Sequence, residues 1–197
     1  GIAEYVLGAV LLFAKDTLGN LQHQRAHQWQ HRETDLISGK QALVIGAGSI
    51  GGEVARLLSA LGLEVTGVAR RAPQTPHFKR VVANDDLHKH LPSADYVVIT
   101  APLTPTTEGL INQRTLAQMK PEALQQKVIA GAALDVFEPE PLPPHHPLWD
   151  MPNVMMSAHM SGDFVGWRRA LGEQFKANLE RWLSSEALFN QVDKGKS

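Results

Sequence analysis

The sequence predicts an α/β fold built on a doubly wound parallel sheet. Three observations predict it. The apolar run Gln41–Ile45 leads into a turn with glycines at Gly46, Gly48 and Gly51. That turn opens a segment in which Ile50, Val54, Leu57, Leu58 and Leu61 recur at helical spacing. Two further apolar runs, Glu64–Val68 and Asp95–Thr100, follow at intervals that leave room for helices between them. Runs apolar throughout, rather than alternating, belong to strands covered on both faces, as in parallel sheets.

Taken in order, the chain opens with a segment read as one long helix from Ala3 to about Gln30, with Val6, Val10, Phe13, Leu18 and Leu21 on one stripe. Gln41–Ile45 is the first strand, and the helix after the glycine turn stops at Gly62. Glu64–Val68 is the second strand, Arg80–Val82 a short third, and Asp85–His90 a short helix. Asp95–Thr100 is the fourth strand. Its carboxyl end runs into the loop 101–107, the usual ligand edge of an open α/β sheet. Asn112 caps a helix to Met119.

There the alternation breaks, because residues 122–127 are again helical in character where a parallel sheet demands a strand. Either the fold inserts something unusual, or residues are absent between about Pro121 and Glu122; the second is the expectation. A chain beginning at Gly1 without Met is likewise expected to be incomplete. Beyond the break, Ala132–Phe137 and Asn153–Ser157 read as strands, with the Pro-rich loop Pro139–Pro147 between them. A final helix over roughly Gly166–Leu183 carries Leu171, Phe175, Leu179 and Trp182 as its buried stripe. The expected organisation is a dinucleotide-binding domain over 1–184 and a return segment over 185–197.

Composition narrows the function. The 197 residues are 43% apolar with a net charge of −1, giving no electrostatic reason to expect nucleic acid or an anionic membrane. Cysteine is absent, so no disulfide framework or thiolate metal site exists, which fits a reducing cytoplasm. Val6–Phe13 is too short to span a bilayer and lacks a cleavage pattern.

The glycine turn points to an anion. Glycine lets a backbone approach a pyrophosphate closely, and the helix start, with the N–H groups of Ser49 and Ile50, favours negative charge. Where such a turn has an acid for the ribose some twenty residues on, this chain has Arg70 and Arg71 after Ala69. An arginine there suits a ribose carrying a phosphate, so NADP is expected over NAD. A ligand-free strand–helix turn and two solvated arginines are the plain alternatives.

With these elements, Ala133-Leu134-Asp135-Val136-Phe137, Glu140-Pro141-Leu142-Pro143 and Ser157-Ala158-His159-Met160-Ser161-Gly162 stand in order. The chain resembles the D-isomer-specific 2-hydroxyacid dehydrogenases over their Rossmann-type nucleotide-binding domain, with most of the substrate domain absent. The resemblance implies hydride transfer between nicotinamide and a small 2-oxo or 2-hydroxy acid, glyoxylate and hydroxypyruvate being natural candidates. It implies that His159 is the proton donor and that Glu140 hydrogen-bonds its imidazole, with Glu138 a nearby competitor. It places Asp135 on the nicotinamide amide, Pro102 and Thr107 beside ribose and nicotinamide, and Ala133 and Gly162 at the cofactor. It also implies a homodimer through this domain. Two departures stand out. Ala158 replaces the proline common before the histidine. The arginine motif of the family, Asn-x-x-Arg-Gly, does not follow Met119-Lys120-Pro121. That second departure supports a rival reading, a dinucleotide-sensing protein of the same fold without turnover.

Other signals are set aside. His23, His27 and His31 recur every four residues without the carboxylates a metal site needs, so no metal is expected. His145 and His146 read as solvated loop residues, and the four tryptophans are too scattered for base stacking. Trp167 stands close enough after His159 in sequence to touch a substrate. A short-chain reductase is disfavoured, because no Tyr-x-x-x-Lys pair is present.

Overall fold

The computed structural model describes residues 1–70, 76–104, 107–119 and 131–191. The chain divides into two compact units, Gly1–Ser161 and Gly162–Ser197.

The first unit is built on parallel strands. β1 (Gln41–Ile45), β2 (Glu64–Ala69), β3 (Arg80–Ala83) and β4 (Tyr96–Ile99) form one sheet in the order β3-β2-β1-β4. Ile45 pairs in register with Val68 on one side and Ile99 on the other, which levels the carboxyl ends of β1, β2 and β4. Chain order reverses between β1 and β4, the position at which open α/β sheets form a ligand crevice. β5 (Ala132–Leu134) and β6 (Val154–Met156) make a separate two-stranded parallel ribbon.

β1 shows why the sheet is covered on both faces. Ala42 and Val44 enter a core with Ala3 and Val10 of α1 (Ile2–Ala14) and Val54, Ala55 and Leu58 of α3 (Ser49–Ala60). Leu43 and Ile45 enter a second core with Val68, Leu91 and Leu87, the last opening α4 (Leu87–His90). Full burial of a Val, Leu or Ile side chain is worth about 1.5–3 kcal/mol. One strand thus draws helices to both its faces.

The long first helix of the sequence reading is two helices. α1 ends at Ala14 and α2 (Thr17–Arg25) follows, broken by Asp16 in the left-handed region at φ 46°. Asp16 is a good N-cap, and its carboxylate accepts the Gly19 N–H at 3.1 Å. The Arg32 guanidinium donates to the other carboxylate oxygen at 2.6 Å. Periodicity cannot see such a break, because the apolar stripe continues through it. Of that stripe, Val10 is buried on α3 of the same chain, while Leu21 is exposed.

Both late strands end sooner than the apolar runs suggest, although the Ser157 N–H still donates to the Leu134 carbonyl at 3.0 Å past the end of β6. The Asn112 carboxamide caps α5 (Gln113–Leu116) as expected, accepting the Arg114 and Thr115 N–H groups at 2.9 and 3.1 Å. The helix expected over 122–127, the junction at Pro121–Glu122 and Arg71 lie outside the described residues.

The second unit holds α6 (Trp167–Leu183), started by Gly166 in the left-handed region. The expected buried stripe is exposed: Leu171, Phe175, Leu179 and Trp182 are 57%, 68%, 43% and 66% accessible. An amphipathic pattern marks a face able to be covered; it does not supply the cover. Residues after α6 fold back on it, with Asn178 exchanging two hydrogen bonds with the Phe189 backbone and Arg181 lying over the Phe189 ring at 4.4 Å. No helix among the described residues is long and apolar enough to cross a membrane.

Candidate active site

The three glycines of the turn do different work. Gly46 has φ +104°, and a side chain there would also meet the Ala101 backbone nitrogen at 2.6 Å. It ends β1 hard against the exit of β4, and the Thr100 hydroxyl locks the two together by donating to the Gly46 carbonyl at 2.9 Å. A Cβ on Gly51 would stand 2.0 Å from the Gly46 carbonyl oxygen, so α3 can pack on the turn only without one. Gly48 has nothing within 4 Å of where its Cβ would be.

The first bond of α3 runs from the Gly52 N–H to the Gly48 carbonyl at 2.8 Å. The N–H groups just ahead of it, at Ser49, Ile50 and Gly51, belong to the first turn, at the positive end of the helix. Open space above Gly48 beside those donors fits a dinucleotide pyrophosphate. The turn is also tied to β2, since the Gly46 N–H donates to the Val68 carbonyl at 2.9 Å. Arg70 stands two residues past that bond, exposed, directly after β2.

Beyond β4 the Thr107 hydroxyl ties the loop that starts at Pro102. Thr107 Oγ1 donates to the Pro102 carbonyl at 2.6 Å and accepts the Thr104 N–H at 2.8 Å. Both sequence-predicted residues of this loop thus stand at the carboxyl exit of β4.

The ribbon presents its carboxyl end on the same rim, and α1 shows it. At the end of α1, the Asp35 N–H donates to the Ala14 carbonyl at 3.0 Å, and Asp35 pairs at 3.4 Å with Lys40, which precedes β1. Beside that same end, the Phe13 ring lies where a Cβ on Gly131, just ahead of β5, would be 2.5 Å away. At the start of α1, the Tyr5 hydroxyl meets Ser157 Oγ, just past β6, at 2.7 Å. β1 and the ribbon therefore run the same way along one helix.

At the ribbon's carboxyl end the structure joins His159 to Glu140. His159 Nδ1 and Glu140 Oε2 are 2.9 Å apart, and Glu140 Oε1 accepts the Phe137 N–H at 2.8 Å. Both carboxylate oxygens are committed, so the glutamate is held as a fixed partner; Glu138 makes no such pairing. The His159 hydrogen bond, followed by that of the Phe137 N–H, lowers the Glu140 carboxyl from its ordinary value. Ionised, it can only accept, which assigns the Nδ1 proton to the imidazole. The imidazole is 63% exposed, within reach of a small solute.

Asp135 builds the turn that carries the histidine. Its carbonyl accepts the His159 N–H at 2.9 Å. Its carboxylate accepts the Met160 N–H at 2.9 Å, the Ser161 N–H at 3.0 Å and the Ser157 hydroxyl. Burial raises the carboxyl, but the hydrogen bonds of Ser157, Ser161 and Met160 outweigh it and hold the value at about 2. Ala133 is different: it lies inside β5, paired with Met155, short of the rim. Gly162 opens the second unit, and Trp167 belongs there as well. Sequence reasoning passed over Tyr5 and Thr100, since neither stands in a motif.

Comparison with known proteins follows the same lines. Residues 7–124 and 121–161 match the family described as D-isomer specific 2-hydroxyacid dehydrogenase, NAD binding domain. A glyoxylate reductase of Thermofilum pendens is 30% identical over 94% of this chain and 62% of its own length. The chain thus spans about three-fifths of that relative's length. Among solved structures, an NADPH-dependent glyoxylate/hydroxypyruvate reductase from Sinorhizobium meliloti, in complex with NADP and sulfate, superposes with a TM-score of 0.88. It is 28% identical over 98% of this chain and 68% of that one. A D-isomer specific 2-hydroxyacid dehydrogenase from Xanthobacter autotrophicus in complex with NADPH and MES gives a TM-score of 0.85 at 30% identity, over 99% and 88%. By its glycine turn, its strand order and a family match running through His159, this chain belongs to the D-isomer-specific 2-hydroxyacid dehydrogenases and carries their NAD-binding domain.

Proposed function

We propose that the chain is the cofactor-binding part of an NADPH-preferring reductase of small 2-oxo acids, of the size of glyoxylate or hydroxypyruvate. The nicotinamide dinucleotide supplies the hydride when bound. His159 holds a proton on Nε2 and gives it to the substrate carbonyl oxygen. Glu140 keeps the imidazole in the tautomer and orientation this requires, and stabilises its charged form. The glycine turn and the start of α3 bind the pyrophosphate, and Arg70 pairs with the phosphate on the ribose.

One observation carries the reading: an imidazole held at 2.9 Å by a carboxylate whose other oxygen is anchored, at the carboxyl rim. Steady NADPH oxidation with glyoxylate, lost in His159→Asn, is the expected result. Dinucleotide binding without turnover on a panel of 2-oxo acids would overturn it in favour of a nucleotide-sensing protein. The absence of an Asn-x-x-Arg-Gly motif after Pro121 keeps that rival in the test.

A further inference from the structure

The Asp135 carboxylate is held by the chain itself. Oδ1 takes the Ser157 hydroxyl and the Met160 N–H, while Oδ2 takes the Ser161 N–H. Two of these three donors are backbone groups directly after His159, so the carboxylate shapes the turn that carries the imidazole.

The direction of the network follows. A carboxylate taking two N–H groups can only accept, so the Ser157 hydroxyl must donate its one proton to Asp135. Ser157 Oγ, 2.7 Å from the Tyr5 hydroxyl, is then left to accept, and Tyr5 must donate. The chain of donors runs one way, from Tyr5 in α1 through Ser157 to Asp135, and each bond polarises the next. What it stabilises is costly by itself: His159 sits at φ 51°, in the left-handed region that side chains disfavour.

Resting on the reductase reading above, we propose that Tyr5 and Ser157 are positioning residues, whose directed hydrogen bonds to Asp135 hold the left-handed turn that aims His159. Neither touches substrate. Tyr5 acts only through Ser157, and Ser157 only through Asp135.

Tyr5→Phe, Ser157→Ala, Ser157→Thr and the Tyr5→Phe/Ser157→Ala double variant test this in the full chain. Losing the neutral Tyr5 bond should lower kcat about fivefold, and losing the charge-assisted Ser157 bond about tenfold or more, with KM little changed. Ser157→Thr keeps the hydroxyl and should restore kcat. The double variant should be no slower than Ser157→Ala alone. A further fall on adding Tyr5→Phe would overturn the proposal, as would a rise in KM at constant kcat. A second readout needs no turnover: the Met160 and Ser161 amide and His159 ring proton resonances should move in both single variants. Unmoved resonances overturn the inference whatever the activity. Resonances that move in a protein without reductase activity support the network and refute only the reaction proposed for it.

Discussion

Substituting the second and third glycines of the turn separates cofactor binding from folding. In Gly51→Ala the new methyl would sit 2.0 Å from the Gly46 carbonyl oxygen, more than an ångström inside ordinary contact, and the obstacle is backbone. Forcing a methyl into such a site costs toward the upper end of the overpacking range, about 3 kcal/mol. For a chain of this length each kcal/mol lowers Tm by about 2–4 °C, so a fall of about 6–12 °C is expected. Gly48→Ala meets nothing within 4 Å, and its backbone, at φ −84° and ψ −158°, suits any residue. Alanine caps a helix a little less well than glycine, so its Tm should fall by no more than about 2 °C. The same methyl would fill the space where a pyrophosphate approaches the backbone. NADPH affinity, measured by titration calorimetry, should therefore drop about tenfold or more, equivalent to about 1.4 kcal/mol. Equal destabilisation by the two variants, or unchanged NADPH binding in Gly48→Ala, would refute the reasoning.

Three other outcomes are expected. Glu140→Gln leaves the imidazole without its carboxylate and disfavours the charged form that the proposed reduction consumes. The alkaline limb of the kcat/KM profile should move to lower pH, with about a tenfold loss of kcat/KM at pH 7. Asp135, held at about 2 in the fold, contributes stability that is present above the ordinary carboxylate pKa and lost as pH falls through the range from about 4 to 2. In Asp135→Asn that acid-dependent loss should shrink by about 1 kcal/mol, allowing for solvent screening, as read by urea unfolding across pH. Arg70→Asp should cut kcat/KM with NADPH about tenfold while sparing NADH, and unchanged selectivity would remove Arg70 from cofactor choice.

The parts legible in the sequence are those governed by local spacing. β1, α3 and β2 stand where apolar runs and helical periodicity place them, and the glycine turn lies between. The Glu140–His159 contact was readable only through resemblance, because nothing in a 19-residue separation announces a hydrogen bond. The break at Asp16 was not readable, since it depends on a guanidinium sixteen residues later. The Asp135 carboxylate was expected to face a ligand. Its three donors within the chain emerge only when β6 is laid beside β5 and the next turn folds over it. Tyr5 looked like one more residue on an apolar helix; its partner is 152 residues away.

That separation bears on synthesis. On the ribosome, α1 emerges before β1 and α3 and can settle against α3 once both have followed it out. Its contact at Gly131 must wait for the ribbon, and its contact at Ser157 for almost everything up to the imidazole. A nascent polypeptide halted at residue 150 would own the nucleotide cradle yet leave the tyrosine hydroxyl to water. Loading of dinucleotide onto the growing polypeptide can thus precede, by some tens of codons, the moment at which the turn carrying His159 is held in place.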